Sequence, residues 1–267
     1  MSELPSIGVL TVATNRYLDY WLAMAQSVEQ HLFPGHPIVM HVFTDRVDDA
    51  REMARTLKRV QVDPVAIEPY GWPEATLLRY EVFNAHRAQI GEDVLLHLDA
   101  DMLLVDSVGP ELQPDSWLNG IALVTHPGFR RPRGAGRLGV YLRRPKLVAS
   151  DLRLRSVAGG LGSWESDPRC LAYVPRELRT RYVCGGTWMG RAPELLSMIS
   201  ELAAHTRTDL DAGRIAIWHD ESHLNCFASR NATSILGSEY CYAPGFANLR
   251  DLKPRIIAVD KGNERTR

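Results

Sequence analysis

The apolar positions of this chain come in short solid runs separated by longer segments of helical spacing. Residues 7–14 (IGVLTVAT) form the first run and predict a buried strand. The amphipathic segment 18–32 that follows predicts a helix stopping at FPGH. PIVMHVFTD (37–45) and VQVDPVAIEP (60–69) predict two more strands, with a polar helix at 48–58 between them. A helix over 74–90, opened by Pro73 and Glu74, precedes a further solid run at 94–98, VLLHL. GIALVTH (120–126) predicts another strand, and 192–213 a helix that stops at Gly213. Strands alternating with helices imply βαβ crossovers and a mixed, mainly parallel sheet. No internal repeat or linker composition interrupts the pattern, so residues 1–267 are expected to form one α/β domain.

Composition narrows the picture in one place. A formal net charge of −1 over 267 residues argues against wholesale nucleic-acid binding. The apolar runs are too short to cross a bilayer, and the N-terminus shows no basic segment ahead of an apolar signal core. The four cysteines (Cys170, Cys184, Cys226, Cys241) lack metal-ligand spacing, and free thiols in a reduced cytoplasm are expected. The exception is the stretch from Arg130 to Arg155, with nine Lys or Arg against one acid, Asp151. As a structural feature it reads as a solvated, mobile insertion at about 130–160. As a functional one it reads as a contact with anionic lipid or a phosphorylated acceptor. Aromatic residues are too sparse there for RNA stacking.

The run at 94–98 ends on Asp99-Ala100-Asp101. On an extended chain, side chains two apart share a face, so both carboxylates are expected to converge just past the carboxyl end of a parallel strand. That edge is where open α/β sheets bind ligands. Two adjacent carboxylates repel unless a cation lies between them, and Mg²⁺ or Mn²⁺ with substrate phosphates is the usual occupant. The same spacing at Asp209 and Asp211 follows no strand and is read as solvated surface.

A second cluster, IAIWHDESHLN (215–225), gathers Trp218, His219, Asp220, Glu221, His223 and Asn225. It departs from the H-E-x-x-H order of zinc proteases. Acids in a first helical turn account for Asp220 and Glu221, but not for the Trp and two His beside them. Ring faces together with polar side chains suit sugar recognition. YVCGGTWMG (182–190) adds Gly185 and Gly186, read either as a bulge or as bare backbone leaving room for a ligand substituent.

Taken in order, VATNRY, HVFTD, LLRYEVF, HLDADM, THPGF, LAYVP, YVCGGTWMG, WHDESHLN and the terminal AVDKGNERTR resemble glycosyltransferase family 6 over nearly the whole length. This is the family of the histo-blood-group A and B transferases and the α1,3-galactosyltransferases. The resemblance implies a GT-A fold, with a single Rossmann-like nucleotide-sugar-binding domain. It also implies a retaining hexosyltransferase that moves N-acetylgalactosamine or galactose from its UDP-sugar onto a galactoside or fucosylated galactoside, in α1,3 linkage. Residue by residue, Tyr17 is expected to stack on uracil, with Ala13 and Thr14 framing the nucleotide. Asp99, Ala100 and Asp101 meet the donor, the two aspartates through Mn²⁺ (or Mg²⁺). Arg79 lies near the donor sugar, Asp220 binds its hydroxyls, and Glu221 is the catalytic carboxylate, also facing the acceptor. His126, Trp218 and His219 shape the acceptor site. Lys261 and Arg267 fall where family members close basic side chains over the diphosphate. Cys184, Gly185 and Gly186 match the segment that sets donor choice; the third-position glycine favours UDP-GalNAc, while Cys184 matches neither donor type.

The resemblance further implies a bacterial-type member without a membrane anchor, expected in the cytoplasm. The basic stretch at about 130–160 departs from the animal enzymes of the family; following HPGF, beside the expected acceptor site, it is read as a contact to a lipid-linked or polyanionic acceptor at the inner membrane face. The residues alone also admit a metal-dependent phosphohydrolase or nucleotidyltransferase built on Asp99 and Asp101. That reading gives the Trp218–Glu221 cluster no task. A non-catalytic sugar-binding protein, in turn, has no use for a carboxylate at the reacting carbon.

Overall fold

The computed structural model describes residues 4–131, 138–139, 141–142 and 145–259. Its strands are β1 (Ile7–Val12), β2 (Ile38–Thr44), β3 (Val60–Ala66), β4 (Val94–Leu98), β5 (Met102–Leu104), β6 (Ile121–Thr125), β7 (Val183–Arg191), β8 (Ser234–Leu236) and β9 (Ile256–Ala258). Seven of them form one sheet in the order β3-β2-β1-β4-β7-β6-β8, and β5 pairs with β9 in a small ribbon. The pairs β3/β2, β2/β1, β1/β4 and β6/β8 are parallel, whereas β7 runs antiparallel to both β4 and β6.

The solid apolar runs are explained by burial on both faces. Val9 of β1 packs in one core cluster with Leu18, Trp21, Met24 and Val28 of α1 (Tyr17–His31). Its neighbour Leu10 packs on the opposite face with Tyr80 and Phe83. Pro64 lies in β3, at the sheet's edge, where its missing N–H leaves no neighbour unpaired.

Three expectations change. The polar helix at 48–58 is shorter, α2 (Val47–Ala54). The single helix at 74–90 is two, α3 (Glu74–Leu77) and α4 (Arg79–Ala85), followed by a 3-10 turn at Arg87–Gln89. Leu78 leaves helical geometry (φ −96°, ψ 2°), which resets the phase so that Arg79, Tyr80, Val82 and Phe83 are all buried. The basic stretch is not all loop. It contains α5 (Pro145–Leu154), and its single acid, Asp151, is 2% exposed. Asp151 takes a guanidinium fork from Arg131 and a hydrogen bond from the Tyr141 hydroxyl at 2.7 Å. Of its basic residues, Arg133, Arg137, Arg143 and Arg144 lie outside the described residues. Two later helices, α6 (Ala192–Asp211) and α7 (His219–Arg230), pack against each other and β7. The stop at Gly213 holds, with φ +68°. No helix among the described residues is long and apolar enough to cross a membrane. All four cysteines are free and buried.

Inside the parallel strands, His41 of β2 is buried between two acids, with Nδ1 3.1 Å from Asp63 and Nε2 3.0 Å from Glu92. Burial alone lowers its pKa, but the two carboxylates outweigh it and the net shift is upward. A raised pKa in the folded state adds stability below the unfolded value of about 6.5, and that contribution is lost as pH rises through the folded value. Wild-type protein is therefore expected to lose melting temperature across that window. His41→Gln should remove the slope and cost about 2–3 kcal/mol at pH 6. Parallel pH–melting curves for the two proteins would contradict this.

Candidate active site

The residues at the carboxyl ends of the central strands meet at one place. After β1, Ala13 N–H donates to Phe43 O (2.9 Å), and the Thr14 hydroxyl donates to Tyr70 O (2.7 Å). Both residues are buried and Tyr17 is partly exposed. Asn15 turns the chain at φ +53°, its N–H held by Asp45 Oδ1 at 2.8 Å. After β4, Asp99–Asp101 is not extended as the alternation argument assumed. It is a tight turn, closed by Met102 N–H to Asp99 O at 3.0 Å. The chain then reverses into β5, and Val259 N–H, just past β9, bonds Asp101 O at 3.0 Å. The turn, rather than strand alternation, brings the carboxylates to the sheet's rim. Lys261 and Arg267 lie outside the described residues.

Arg79 is the hub. It is 5% exposed, with Nη1 2.9 Å from Asp99 Oδ1 and Nε 3.3 Å from Asp220 Oδ2. Nη1 also meets Gly185 O (3.1 Å) and His97 Nε2 (2.7 Å). Burial alone lowers the guanidinium pKa, but Asp220 and Asp99 outweigh it and raise it further. His97 Nδ1 faces Leu10 O at 3.0 Å, so Nδ1 carries the proton and Nε2 accepts from Arg79. Burial and the neighbouring Arg79 depress its pKa and keep it neutral.

Asp220 and Glu221 open α7. His219 ahead of them sits in the left-handed region (φ +48°), a geometry uncommon outside glycine, though His adopts it more readily than most, and one that clusters at functional sites. Asn225 locks the helix to β7, with Oδ1 accepting from Val183 N–H (2.8 Å) and Nδ2 donating to Val183 O (2.9 Å) and Glu221 O (2.8 Å). Burial is the main cause that lifts Asp220 to about 6, against the pull of Arg79. Glu221 rises to about 7, again through burial and then repulsion from Asp220, offset by the Gly185 N–H donated to Oε2 at 2.8 Å. His126 Nε2 lies 3.9 Å from Glu221 Oε1; burial lowers its pKa to about 4, so it is neutral.

The Gly-Gly pair belongs to β7, a nine-residue strand that its glycines hid from a propensity reading. A Cβ on Gly186 would come 2.9 Å from Asp99 Oδ2, and one on Gly185 3.2 Å from Asp220 Oδ2. The bare backbone thus makes room for carboxylates. The Cys184 side chain is buried in the core, with Sγ 3.8 Å from Thr187 O. Trp218 is half exposed, its indole N–H on Ser163 Oγ at 2.5 Å. Trp72, which no spacing had marked, is 74% exposed with its ring 5.4 Å from His219. His97, Tyr182 and the clamping role of Asn225 were also missed. Of these, only His97, a polar residue inside an apolar run, left a readable signal.

Asp209 needs a correction: it is buried, not solvated. It accepts from the Cys170 thiol (3.1 Å), Leu171 N–H (2.8 Å) and Arg214 (3.0 Å). Its partner in spacing, Asp211, is exposed. Among the described residues no three His, Cys, Asp or Glu side chains gather as a metal cage. Two carboxylates in one turn, Asp99 and Asp101, instead suit a hard cation that takes its other oxygens from a diphosphate and water.

A mostly parallel sheet with a carboxylate-bearing turn at its rim, faced by a helix that opens on two further carboxylates, defines a GT-A glycosyltransferase. Such an enzyme moves a hexose from a nucleotide-sugar donor to a glycan acceptor. The chain belongs to glycosyltransferase family 6, whose family model matches residues 3–129 and 161–267. The unmatched gap, 130–160, is the basic stretch. The chain is 28% identical to Histo-blood group ABO system transferase 1 of Rattus norvegicus over 98% of its own length and 68% of the relative's. It is 25% identical to Globoside alpha-1,3-N-acetylgalactosaminyltransferase 1 of Gallus gallus, covering 98% and 69%. With the O-antigen biosynthesis glycosyltransferase WbnI of Escherichia coli, identity is 23% over 97% and 96% of the two chains.

Proposed function

We propose that the protein is a retaining α1,3-glycosyltransferase that moves N-acetylgalactosamine, or galactose, from its UDP-sugar to a galactoside or fucosylated galactoside. The observation that carries this reading is Glu221. It is four-fifths buried, held by the Gly185 N–H, beside neutral His126 and one residue from the Arg79-paired Asp220. A carboxylate so placed serves as nucleophile of a double displacement, or as counter-charge to an oxocarbenium-like ion pair in front-face substitution. Asp220 takes donor-sugar hydroxyls, and Arg79 fixes Asp220 and Asp99 relative to each other. Ala13, Thr14 and Tyr17 hold the uridine, and His126, Trp218 and His219 shape the acceptor side. Asp99 and Asp101 would hold Mn²⁺ or Mg²⁺, which when bound neutralises charge on the departing diphosphate. Gly186 favours N-acetylgalactosamine through the family resemblance of its segment.

The test is product analysis with UDP-GalNAc and UDP-Gal, with and without Mn²⁺, on plain and fucosylated galactosides. An α1,3-linked product with stoichiometric UDP is expected. Chelator and Asp99→Asn should each cut turnover roughly 100-fold or more. Full turnover in chelator would remove the cation from this scheme. Metal-dependent phosphate or nucleotide release without sugar transfer would remove the scheme itself.

A further inference from the structure

Beside the Glu221 site lies a cavity of about 840 Å³, within the size range of small-molecule sites. Thr125, Phe129 and Tyr182 form one part of its wall. These residues also frame His126, whose ring centroid is 4.9 Å from that of Phe129 and 5.6 Å from that of Tyr182. His126 Nε2 lies 3.9 Å from Glu221 Oε1, so the aromatic layer that walls the cavity also borders this carboxylate.

Four guanidiniums line the same space: Arg130, Arg131, Arg155 and Arg181. Two are already satisfied, Arg130 by a fork onto Asp251 (2.5 and 2.6 Å) and Arg131 by Asp151. Among the described residues the Arg155 side chain donates one long bond, to Gly159 O at 3.4 Å, and acts on Asp151 only at a distance. Neither Arg155 nor Arg181 has a carboxylate within ion-pair distance among the described residues. Guanidinium forks match phosphate and carboxylate oxygens, and a concave wall concentrates their field. Glu239, also on the wall, offers an acceptor for sugar hydroxyls. Three of the four arginines come from 130–160, the stretch outside the family match. Most of the cavity's positive charge is therefore carried by the stretch outside the family match, while the rest of its wall lies within that match.

We propose that this cavity is an acceptor subsite for an anionic group, a phosphate, diphosphate or carboxylate, carried by the glycan beyond the sugar that receives the hexose. Arg155 and Arg181 are its donors. The inference rests on the transferase reading of the neighbouring site, but its test does not depend on turnover.

Titration calorimetry without donor measures binding of galactosides that differ only in the aglycone: phosphate, diphosphate, carboxylate or an uncharged alkyl. Charged acceptors should bind about tenfold or more tightly than the uncharged one, and Arg155→Gln with Arg181→Gln should bring that ratio close to one. A preference for phosphate or diphosphate assigns a phosphate-linked carrier; a preference for carboxylate assigns an acidic sugar. Lys146→Gln, exposed on the same basic stretch but outside the cavity, should keep the ratio. Melting curves verify that the variants are folded. Equal binding of charged and uncharged acceptors by the wild type would overturn the subsite, as would a ratio that survives the double substitution. So would an equal loss in Lys146→Gln, which would mean diffuse charge. A preference seen only for acceptors on anionic vesicles would assign these arginines to a membrane contact instead. If the ratio behaves as expected but no disaccharide ever forms, the transferase reading fails and the subsite stands.

Discussion

Glu221→Gln is expected to lower kcat by about 10²–10³-fold while UDP affinity stays within a few-fold of wild type. The amide is nearly isosteric, and its oxygen can still accept the Gly185 N–H that Oε2 accepts in the wild type at 2.8 Å. What it loses is the negative charge, which matters mainly when positive charge builds on the departing hexose. The ground state therefore changes little and the transition state a great deal. The same group sets a pH signature. Burial raises Glu221 to about 7, so below that pH a growing share of the enzyme carries the inert acid form. kcat/KM for the wild type should fall on the acid side of about pH 7, well above an ordinary carboxylate limb, and the residual activity of Glu221→Gln should lack that limb. Calorimetry for UDP and initial rates from pH 5 to 9 provide both readouts. Near-normal turnover in the variant would take the catalytic role away from Glu221.

The first four strands and β6 were legible because a strand buried on both faces can only be written as a solid apolar run, whereas β5, β8 and β9, three residues each, are too short to carry a pattern. β1, β2 and β4 were each readable for that reason, and Pro64 fitted once β3 proved to be the edge strand. β7 was not legible as a strand. Its Cys184-Gly185-Gly186 opening has low strand propensity, and only the approach of Asp99, Asp220 and Glu221 explains why side chains are absent there. The D-x-D spacing alone had no power to discriminate. At 99–101 it is a turn at the sheet's rim, whereas Asp209, one half of the other match, is a buried acceptor that ties Cys170 and Leu171 to Arg214. Local spacing carries no information on what a distant segment brings to a side chain. The same limit hid His97 and Asn225, whose partners are 87 and 42 residues away in the chain. It also hid the inward turn of Asp151, which looked like the lone acid of a solvated loop.

Arg79→Met tests the hub from the opposite direction, by removing a cation and leaving its carboxylates in place. The Asp220 side chain is 7% exposed and Asp99 36%, so the more buried acid suffers most. Breaking one partner out of a buried ion pair costs about 3–5 kcal/mol, and for a chain of this size that lowers the melting temperature on the order of 10 °C. The deficit should depend on pH in a defined sense. Asp220 already sits near 6 through burial, with Arg79 pulling it down; without the guanidinium it rises further. An acid with a folded-state pKa above its unfolded value loses stability as pH climbs from the unfolded value through the folded one. The variant should therefore lie closest to wild type near pH 5 and furthest below it at pH 8. Its affinity for the UDP-sugar should fall as well, because Asp99 and Asp220 lose the group that fixes their separation. Arg79→Lys should recover part of the stability but little of the donor affinity, since one ammonium cannot reach Asp99, Asp220 and the Gly185 carbonyl with the same planar fork. A variant as stable as wild type at pH 8 with unchanged donor binding would mean that the carboxylates are positioned by the β7 backbone and the turn alone.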